Sequence, residues 1–309
     1  MAGRFAPSPT SALHVGNLRT ALVAWLLARS TGRRFLLRIE DLDTQRVAAA
    51  PRVAERQVAD LLALGLDVDG DVVRQSERRA GYEEALSRLA GLTYECFCTR
   101  REIAEAASAP HGDGYRPYPG TCRDLSAAER SARRRERSPA IRLRAAGATQ
   151  RVSDLWAGEV SGVVDDFVLV RGDGVPAYNL AVVVDDLAQG VDQVVRGDDL
   201  LASSPRQAWL AERLGGAAPA YAHVPLAVNG EGRRLAKRDG AVTMADLAAA
   251  GLGPQRVLAV LAHSLNLATP DEVVTTAELL DRFDPAALPR QPWVVAAQPW
   301  LAANRMSTT

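Results

Sequence analysis

The chain has 309 residues, 37 basic and 37 acidic side chains, and a formal net charge of zero, which excludes a strongly basic nucleic-acid coat while leaving a local basic face open. At 47% hydrophobic and 24% charged it is an ordinary globular chain with room for two compact units. No apolar run approaches the ~20 residues a bilayer span needs, no secretory signal follows Met1, and three cysteines argue against a disulfide framework, so a cytoplasmic, membrane-free location is expected.

Arg4-Phe5-Ala6 is a short apolar start, broken by Pro7-Ser8-Pro9-Thr10. Apolar periodicity predicts a helix from about Asn17 to Arg29, stopped at Thr31-Gly32. Arg34 to Glu40 reads as a strand buried in its middle, and about Pro51 to Leu64 as a second helix. Strand, turn, helix, strand is the pattern of a parallel α/β sheet. From Glu95 to about Asp165 the character changes. This stretch holds all three Cys, a Gly/Pro-rich loop from His111 to Gly120, and eight Arg against three acids between Arg123 and Arg144. That cluster reads either as a solvated helix face or as a contact to a phosphate backbone.

The α/β pattern then resumes, with strands at Phe167–Val170, Gln193–Arg196 and Val224–Val228 and helices at Tyr178–Asp186 and Ser204–Leu214. After Gly240, 69 residues remain, mostly helical, with Leu258, Leu261 and Leu265 on one face. The expected fold is α/β: a Rossmann-type parallel sheet from 1–94 and 166–240, an insertion at 95–165, and a short helical C-terminal part at 241–309.

Three constellations can carry chemistry. Pro7 to Asn17 lies between the first strand and the first helix, where unpaired N–H groups and the positive dipole end suit a phosphate. Gly16 there would let a ligand approach the backbone, and His14 could donate to it; a helix cap or a packed ring is the plainer role for that His. Arg233 to Gly240 is a basic loop beside two glycines, able to close over a polyphosphate or to stand as a solvated turn. It holds Lys237, the single Lys beside 36 Arg, where a compact ammonium on a pliable stem can do what a planar guanidinium cannot. Cys96, Cys98 and Cys122 make a near-complete tetrahedral zinc set, since Cys-x-Cys suits a disulfide poorly. Tyr115, His111 or water could supply a fourth ligand, and free buried thiols are the alternative.

Pro-Ser-Pro-Thr-x-x-Leu-His-Val-Gly-Asn (Pro7 to Asn17) resembles the "HIGH" signature of class I aminoacyl-tRNA synthetases in its glutamate-type form. Arg234-Leu235-Ala236-Lys237-Arg238 resembles the matching "KMSKS" loop. Arg38 to Asp43 and Ala177 to Asp186 are also similar to that family, in the same order, so the resemblance spans Arg4 to about Gly240. Three positions depart from it: Asn17 replaces the last His, Arg234 the first Lys and Ala236 the Ser. Within the family the wording from Tyr178 to Asp186 and the short C-terminal part resemble the glutamyl-queuosine tRNA(Asp) synthetases, a branch without the helical anticodon-binding domain.

The resemblance implies ATP-dependent activation of L-glutamate without tRNA, with Mg²⁺ on the phosphates. Transfer to the queuosine of tRNA(Asp) follows, by a monomeric cytoplasmic enzyme. Charging of a tRNA 3′ end by a truncated or discriminating glutamyl-tRNA synthetase, or binding without catalysis, are the alternatives. It places glutamate on Arg4, Phe5, Ala6, Pro7, Ser8, Glu40, Tyr178 and Arg196. Two carboxylates and one ammonium call for about two cations and one anion. Glu40 could instead be a surface partner of Arg38. ATP falls to His14, Gly16, Asn17, Arg234, Leu235, Ala236, Lys237 and Arg238, with His14 and Lys237 catalytic. One structural zinc would sit on Cys96, Cys98, Cys122 and Tyr118, the Tyr four residues before the last Cys.

Overall fold

The computed structural model describes residues 1–99, 101–103, 117–235, 242–269 and 272–295. A seven-stranded sheet forms the body. Its spatial order is β3 (Val73–Arg74), β2 (Arg34–Ile39), β1 (Ala2–Phe5), β9 (Val191–Gly197), β10 (Ala220–Val224), β6 (Ala148–Asp154) and β7 (Gly158–Val164). All neighbours are parallel except the β6–β7 hairpin. Strands buried on both faces need near-continuous apolar sequence, and Phe35-Leu36-Leu37 supplies it in β2. The chain order reverses direction between β1 and β9. That is the topological switch point, where an open α/β sheet binds ligands at the carboxyl ends of its strands.

Helix α1 (Val15–Ser30) lies against β1, β2 and β9 on one side and against α9 (Pro254–His263) on the other. It therefore has no solvated stripe; Leu18, Leu22 and Leu26 are fully buried, each contributing roughly 1.5–3 kcal/mol. Arg19, 1% exposed within this apolar helix, donates to the Pro225 carbonyl (2.9 Å) and to Ser264 Oγ (3.1 Å). One side chain thus ties the helical C-terminal part to the body. The remaining helices before the insertion are α2 (Thr44–Ala48), α3 (Val53–Ala63) and α4 (Arg79–Arg88).

The insertion is a second, three-stranded antiparallel sheet of β4 (Thr93–Cys96), β5 (Ala140–Leu143) and β8 (Val168–Val170), with α5 (Ala127–Arg134) beside it. Strand pairing does not follow the expected division at 95–165. β6 and β7 lie inside that range but complete the main sheet, whereas β8, expected in the main sheet, belongs to the small one. Pattern alone could not separate them, because a strand's partner is set by tertiary packing rather than by its own alternation.

The strand expected at Val224–Val228 ends earlier, because Pro225 has no N–H for the ladder. Ala227–Val228 (β11) restarts in a separate pair with Trp293–Val294 (β12). The helices expected at Tyr178 and Ser204 are α6 (Tyr178–Gln189) and α7 (Ser204–Arg213). Asp165 fastens the two units: its carboxylate accepts from Arg206 Nε of α7 (2.7 Å) and from the Tyr118 N–H of the insertion (3.2 Å), while Asp166 ties the insertion to itself through Tyr94 OH, Arg123 Nε and the N–H groups of Ala145 and Ala146. Two short helices, α8 (Met244–Ala249) and α10 (Thr276–Asp281), complete the described part. None of the described helices is long and apolar enough to cross a membrane.

Candidate active site and metal centre

A cavity of about 490 Å³ opens at the switch point. Its walls include Phe5, Ala6, Pro7 and Ser8 after β1, Glu40 after β2, Arg196 at the end of β9 and Tyr178 at the start of α6. Arg4 joins them from below, so every residue expected to hold glutamate surrounds one space. The Glu40 N–H donates to the Pro7 carbonyl (2.9 Å), which holds the two strand ends together. The Gln57 amide donates to the carbonyls of Ser8 (3.0 Å) and Ser11 (2.8 Å), fixing the loop in between.

The two guanidiniums are not equivalent. Arg4 is paired with the Asp186 carboxylate (3.2 Å), which Arg38 also meets at 2.7 Å. Against the cost of burial, Arg4 and Arg38 hold Asp186 below the usual carboxylate range. Glu40 lies 3.6 Å from Arg38. It is therefore a partner of Arg38, but set half-buried in the pocket wall rather than on the open surface. Burial raises its carboxyl above the ordinary range against the pull of Arg38 and Arg4. Arg196 is 6% exposed and, among the described residues, makes its hydrogen bonds only to neutral groups: His223, Gln207, Ser204 and the Leu200 carbonyl.

At the cavity's other end, His14 is the N-cap of α1. Its Nδ1 accepts from the N–H groups of Gly16 (3.1 Å) and Asn17 (3.4 Å), while Asn17 Oδ1 accepts from the His14 N–H (3.2 Å). The Val15 N–H goes to the Val242 carbonyl (2.9 Å). The donors expected to be free for a phosphate are therefore spent by the chain itself. With Nδ1 accepting, the ring hydrogen sits on Nε2, and His14 becomes the donor at the helix start. Burial, then the Arg234 guanidinium, push its imidazole down to about 4, so it stays neutral near pH 7.

Gly16 lines the cavity, and a Cβ there would stand 2.8 Å from the Ala227 methyl and 3.0 Å from the His14 ring, so its own neighbours also need the space. Gly16→Ala is expected to cost about 1–3 kcal/mol by overpacking and to displace His14. Thermal unfolding and an assay of the first chemical step should both fall; a variant unchanged in both would show that the strand can give way.

Arg234 lines the cavity and pairs with Asp199, and Leu235 is buried with its N–H on the Ala227 carbonyl (3.2 Å). Ala236, Lys237 and Arg238 lie outside the described residues. Both flanks of their segment are placed: Leu235 on β11, and Val242–Thr243 against Val15 and His14.

In the insertion the Sγ atoms of Cys96, Cys98 and Cys122 lie within 4.8 Å of one another, with Cys98 and Cys122 at 3.5 Å. The Tyr118 hydroxyl sits 3.3 Å from Cys96 Sγ and 3.6 Å from Cys98 Sγ. A tetrahedral zinc with Zn–S near 2.3 Å and Zn–O near 2.0 Å spaces its ligands at about 3.8 and 3.5 Å. The four atoms therefore fit a zinc ion with little adjustment. Burial pushes the Cys98 thiol up to about 12, a cost that a bound dication reverses. His111 and Tyr115, the other candidates for a fourth ligand, lie outside the described residues.

The sequence profile of "tRNA synthetases class I (E and Q), catalytic domain" matches residues 1–299. The chain is 62% identical over 297 residues to the glutamyl-Q tRNA(Asp) synthetase of Nocardia farcinica, covering 95% of this chain and 93% of that protein. The chain belongs to this class I family. It is also 56% identical over 298 residues to the glutamyl-Q tRNA(Asp) synthetase of Cutibacterium acnes, covering 93% and 85% of the two chains. A glutamate tRNA ligase from Elizabethkingia meningosepticum, solved with its amino acid, superposes with a TM-score of 0.79 at 28% identity. That match covers 98% of this chain and 68% of the other. A methionyl-tRNA synthetase of Mycobacterium tuberculosis, 14% identical with a TM-score of 0.53, shares the class I fold alone.

Part of the Arg cluster of the insertion has a role that neither expectation named. Arg142 is buried with its guanidinium 3.7 Å above the Tyr118 ring, Arg134 pairs with Glu95, and Arg123 with Asp166. Arg137 donates to the Phe97 carbonyl, and Arg133 reaches toward Cys122 Sγ. Most of these cations hold the subdomain together, and only part of the cluster is free to face a phosphate backbone. Asp186, Gln57, Asp154 and His223 also order this site, and none of them stood out in the sequence for that role. Asp186 left a signal, a carboxylate ending the apolar run Ala181–Asp186, and Arg38 left another inside a buried strand. Asp154 and His223 left none, since only strand register brings them to Arg196.

Proposed function

We propose that the chain activates L-glutamate with ATP, without tRNA, and transfers the glutamyl group to the queuosine of tRNA(Asp). The observation that carries the first half is the charge pattern around one cavity: the guanidiniums of Arg4 and Arg196 for two carboxylates, Glu40 for the ammonium, and His14 at the far end. The names of the relatives support the acceptor. In the first step the glutamate α-carboxylate attacks the α-phosphorus of ATP and pyrophosphate leaves. No side chain need act as nucleophile. Holding the two reactants in line and stabilising phosphate charge supply the catalysis.

Arg4 and Arg196 fix the carboxylates, Ser8 and Tyr178 flank the amino acid, and Glu40 accepts the ammonium hydrogens. The His14 Nε2–H donates to a phosphate oxygen, beside Gly16, Asn17 and the Arg234–Leu235 turn. Lys237 offers its ammonium charge to the departing pyrophosphate. In the second step a hydroxyl of the queuosine cyclopentene-diol attacks the mixed anhydride and AMP leaves. A second cavity, of about 670 Å³, shares Ser8, Glu40 and Tyr178 with the first and lies between the body and the insertion. It is the side from which the acceptor enters.

Glutamate-dependent ATP–pyrophosphate exchange is expected without any tRNA. Labelled glutamate should then attach to queuosine-containing tRNA(Asp), equally when the 3′-terminal adenosine has been removed, and not to queuosine-free tRNA. Label that depends on the terminal adenosine would overturn the acceptor and favour 3′-end charging. Absence of exchange under any condition would leave a binding protein.

A further inference from the structure

Three neighbouring parallel strands, β6, β10 and β9, carry a row of polar side chains into the sheet interior. Arg196 stands opposite His223 in the β9–β10 register, and Asp154 ends β6 beside β10, two residues along from His223 by the Tyr221–Asp154 pairing. The three side chains connect in series. Asp154 Oδ2 lies 2.6 Å from His223 Nδ1, and His223 Nε2 lies 3.0 Å from Arg196 Nε. Asp154 and His223 are buried, and neither belongs to the cavity wall.

The hydrogen assignments follow from the ends of the row. Asp154 Oδ1 accepts from the N–H groups of Trp156 and Ala157, and Oδ2 from the His223 N–H, so the carboxylate serves as an acceptor throughout. His223 Nδ1 must then carry the ring hydrogen. Arg196 Nε is always a donor, so His223 Nε2 must be bare to receive it. The two constraints select the same neutral tautomer. Arg196 NH1 meanwhile donates to Gln207 Oε1 (2.6 Å), and NH2 donates to Ser204 Oγ (2.8 Å) and the Leu200 carbonyl (3.2 Å). Four of the five guanidinium hydrogens are thus committed to neutral acceptors, which leaves one on NH1.

We propose that His223, locked in its Nδ1–H tautomer by Asp154, is the positioning residue that orients Arg196 while leaving its charge free for a substrate carboxylate. A carboxylate placed directly on Arg196 would hold it equally well but neutralise it, as Asp186 does for Arg4. The imidazole sets the Asp154 charge one ring further away. This rests on the reading of the cavity as a glutamate site.

The test is pyrophosphate exchange by the full chain, with the KM values for glutamate and ATP measured separately. His223→Leu removes the acceptor, and a hydrogen bond to a charged group corresponds to about a tenfold to hundredfold rise in glutamate KM. The ATP KM should stay within about twofold, a split that general loss of structure would not give. His223→Gln, whose Oε1 can receive the Arg196 Nε–H, should recover most of the loss. Should His223→Leu fail to fold, Asp154→Asn reads the same relay. Its amide presents a hydrogen to Nδ1, drives the ring hydrogen onto Nε2 against Arg196, and should raise the glutamate KM selectively.

An unchanged glutamate KM in the variants, equal rises in both KM values, or a Gln variant as poor as Leu would overturn the proposal. Wild-type protein without exchange would sink the functional reading instead. Glutamate affinity measured by calorimetry then still tests the relay.

Discussion

Arg196→Gln is expected to lower glutamate-dependent pyrophosphate exchange by about a hundredfold to a thousandfold, mostly through the glutamate KM. The reasoning is electrostatic. A guanidinium that is 6% exposed and surrounded by neutral acceptors has lost most of its hydration without gaining a counter-charge. A substrate carboxylate supplies that charge. Removing one partner of a buried, hydrogen-bonded charge pair costs about 2–5 kcal/mol, which is roughly thirtyfold to several thousandfold in affinity.

Gln keeps the approximate length and some donors, so the variant tests charge more than space. Arg4→Gln is the comparison. Asp186 already neutralises Arg4, and Arg38 stays on Asp186 after the change, so the loss should be smaller. Glutamate KM and kcat for both variants decide the matter. A loss below tenfold for Arg196→Gln would mean that the carboxylate is held elsewhere.

That asymmetry marks the border of what the sequence could reveal. Ser8, Glu40 and Tyr178 could be placed because each sits in a run resembling a known signature, and Arg4 and Arg196 because each falls at the end of an apolar strand in the same pattern; all five come to the same edge of the sheet. The first helix and the flanking strands were legible too, since their apolar periods are long and uninterrupted. What orders the two arginines was not. Asp186 acts on Arg4 across 182 residues, and His223 acts on Arg196 through a strand register that no local pattern fixes.

The helix start was misread for a related reason. Free N–H groups are the default at an N-terminus, but the side chain of His14 and the carbonyl of Val242 take them. His14, for which a cap was the plainer role, does cap the helix, and it also lines the cavity.

Replacing the thiols of the insertion, whose geometry fits a zinc ion, should produce the other large effect, and a selective one. Of the four described clusters of buried apolar residues, the insertion's own consists of Tyr94, Cys96, Phe97, Tyr118 and Cys122, and three of those five are proposed zinc ligands. So small a cluster supplies little folding energy around the thiols, whereas β5 and β8 are also anchored through Leu143 and Leu169 in the larger core shared with α6 and α7; a bound zinc would supply the missing part locally. The cavity at the switch point, by contrast, is built mainly on the main sheet and α1.

Protein purified without chelator should carry about one zinc per chain by elemental analysis. The double variant Cys98→Ser, Cys122→Ser should carry none. In that variant the segment around Tyr118 should become sensitive to protease, and transfer to tRNA should fall by about a hundredfold or more, as expected where folding energy is metal energy. Pyrophosphate exchange should change far less, because Cys98 reaches only the second cavity. Equal loss of both activities would show that the insertion and the body fold as one unit. A metal-free wild type with full transfer activity would reduce the three thiols and Tyr118 to an apolar plug.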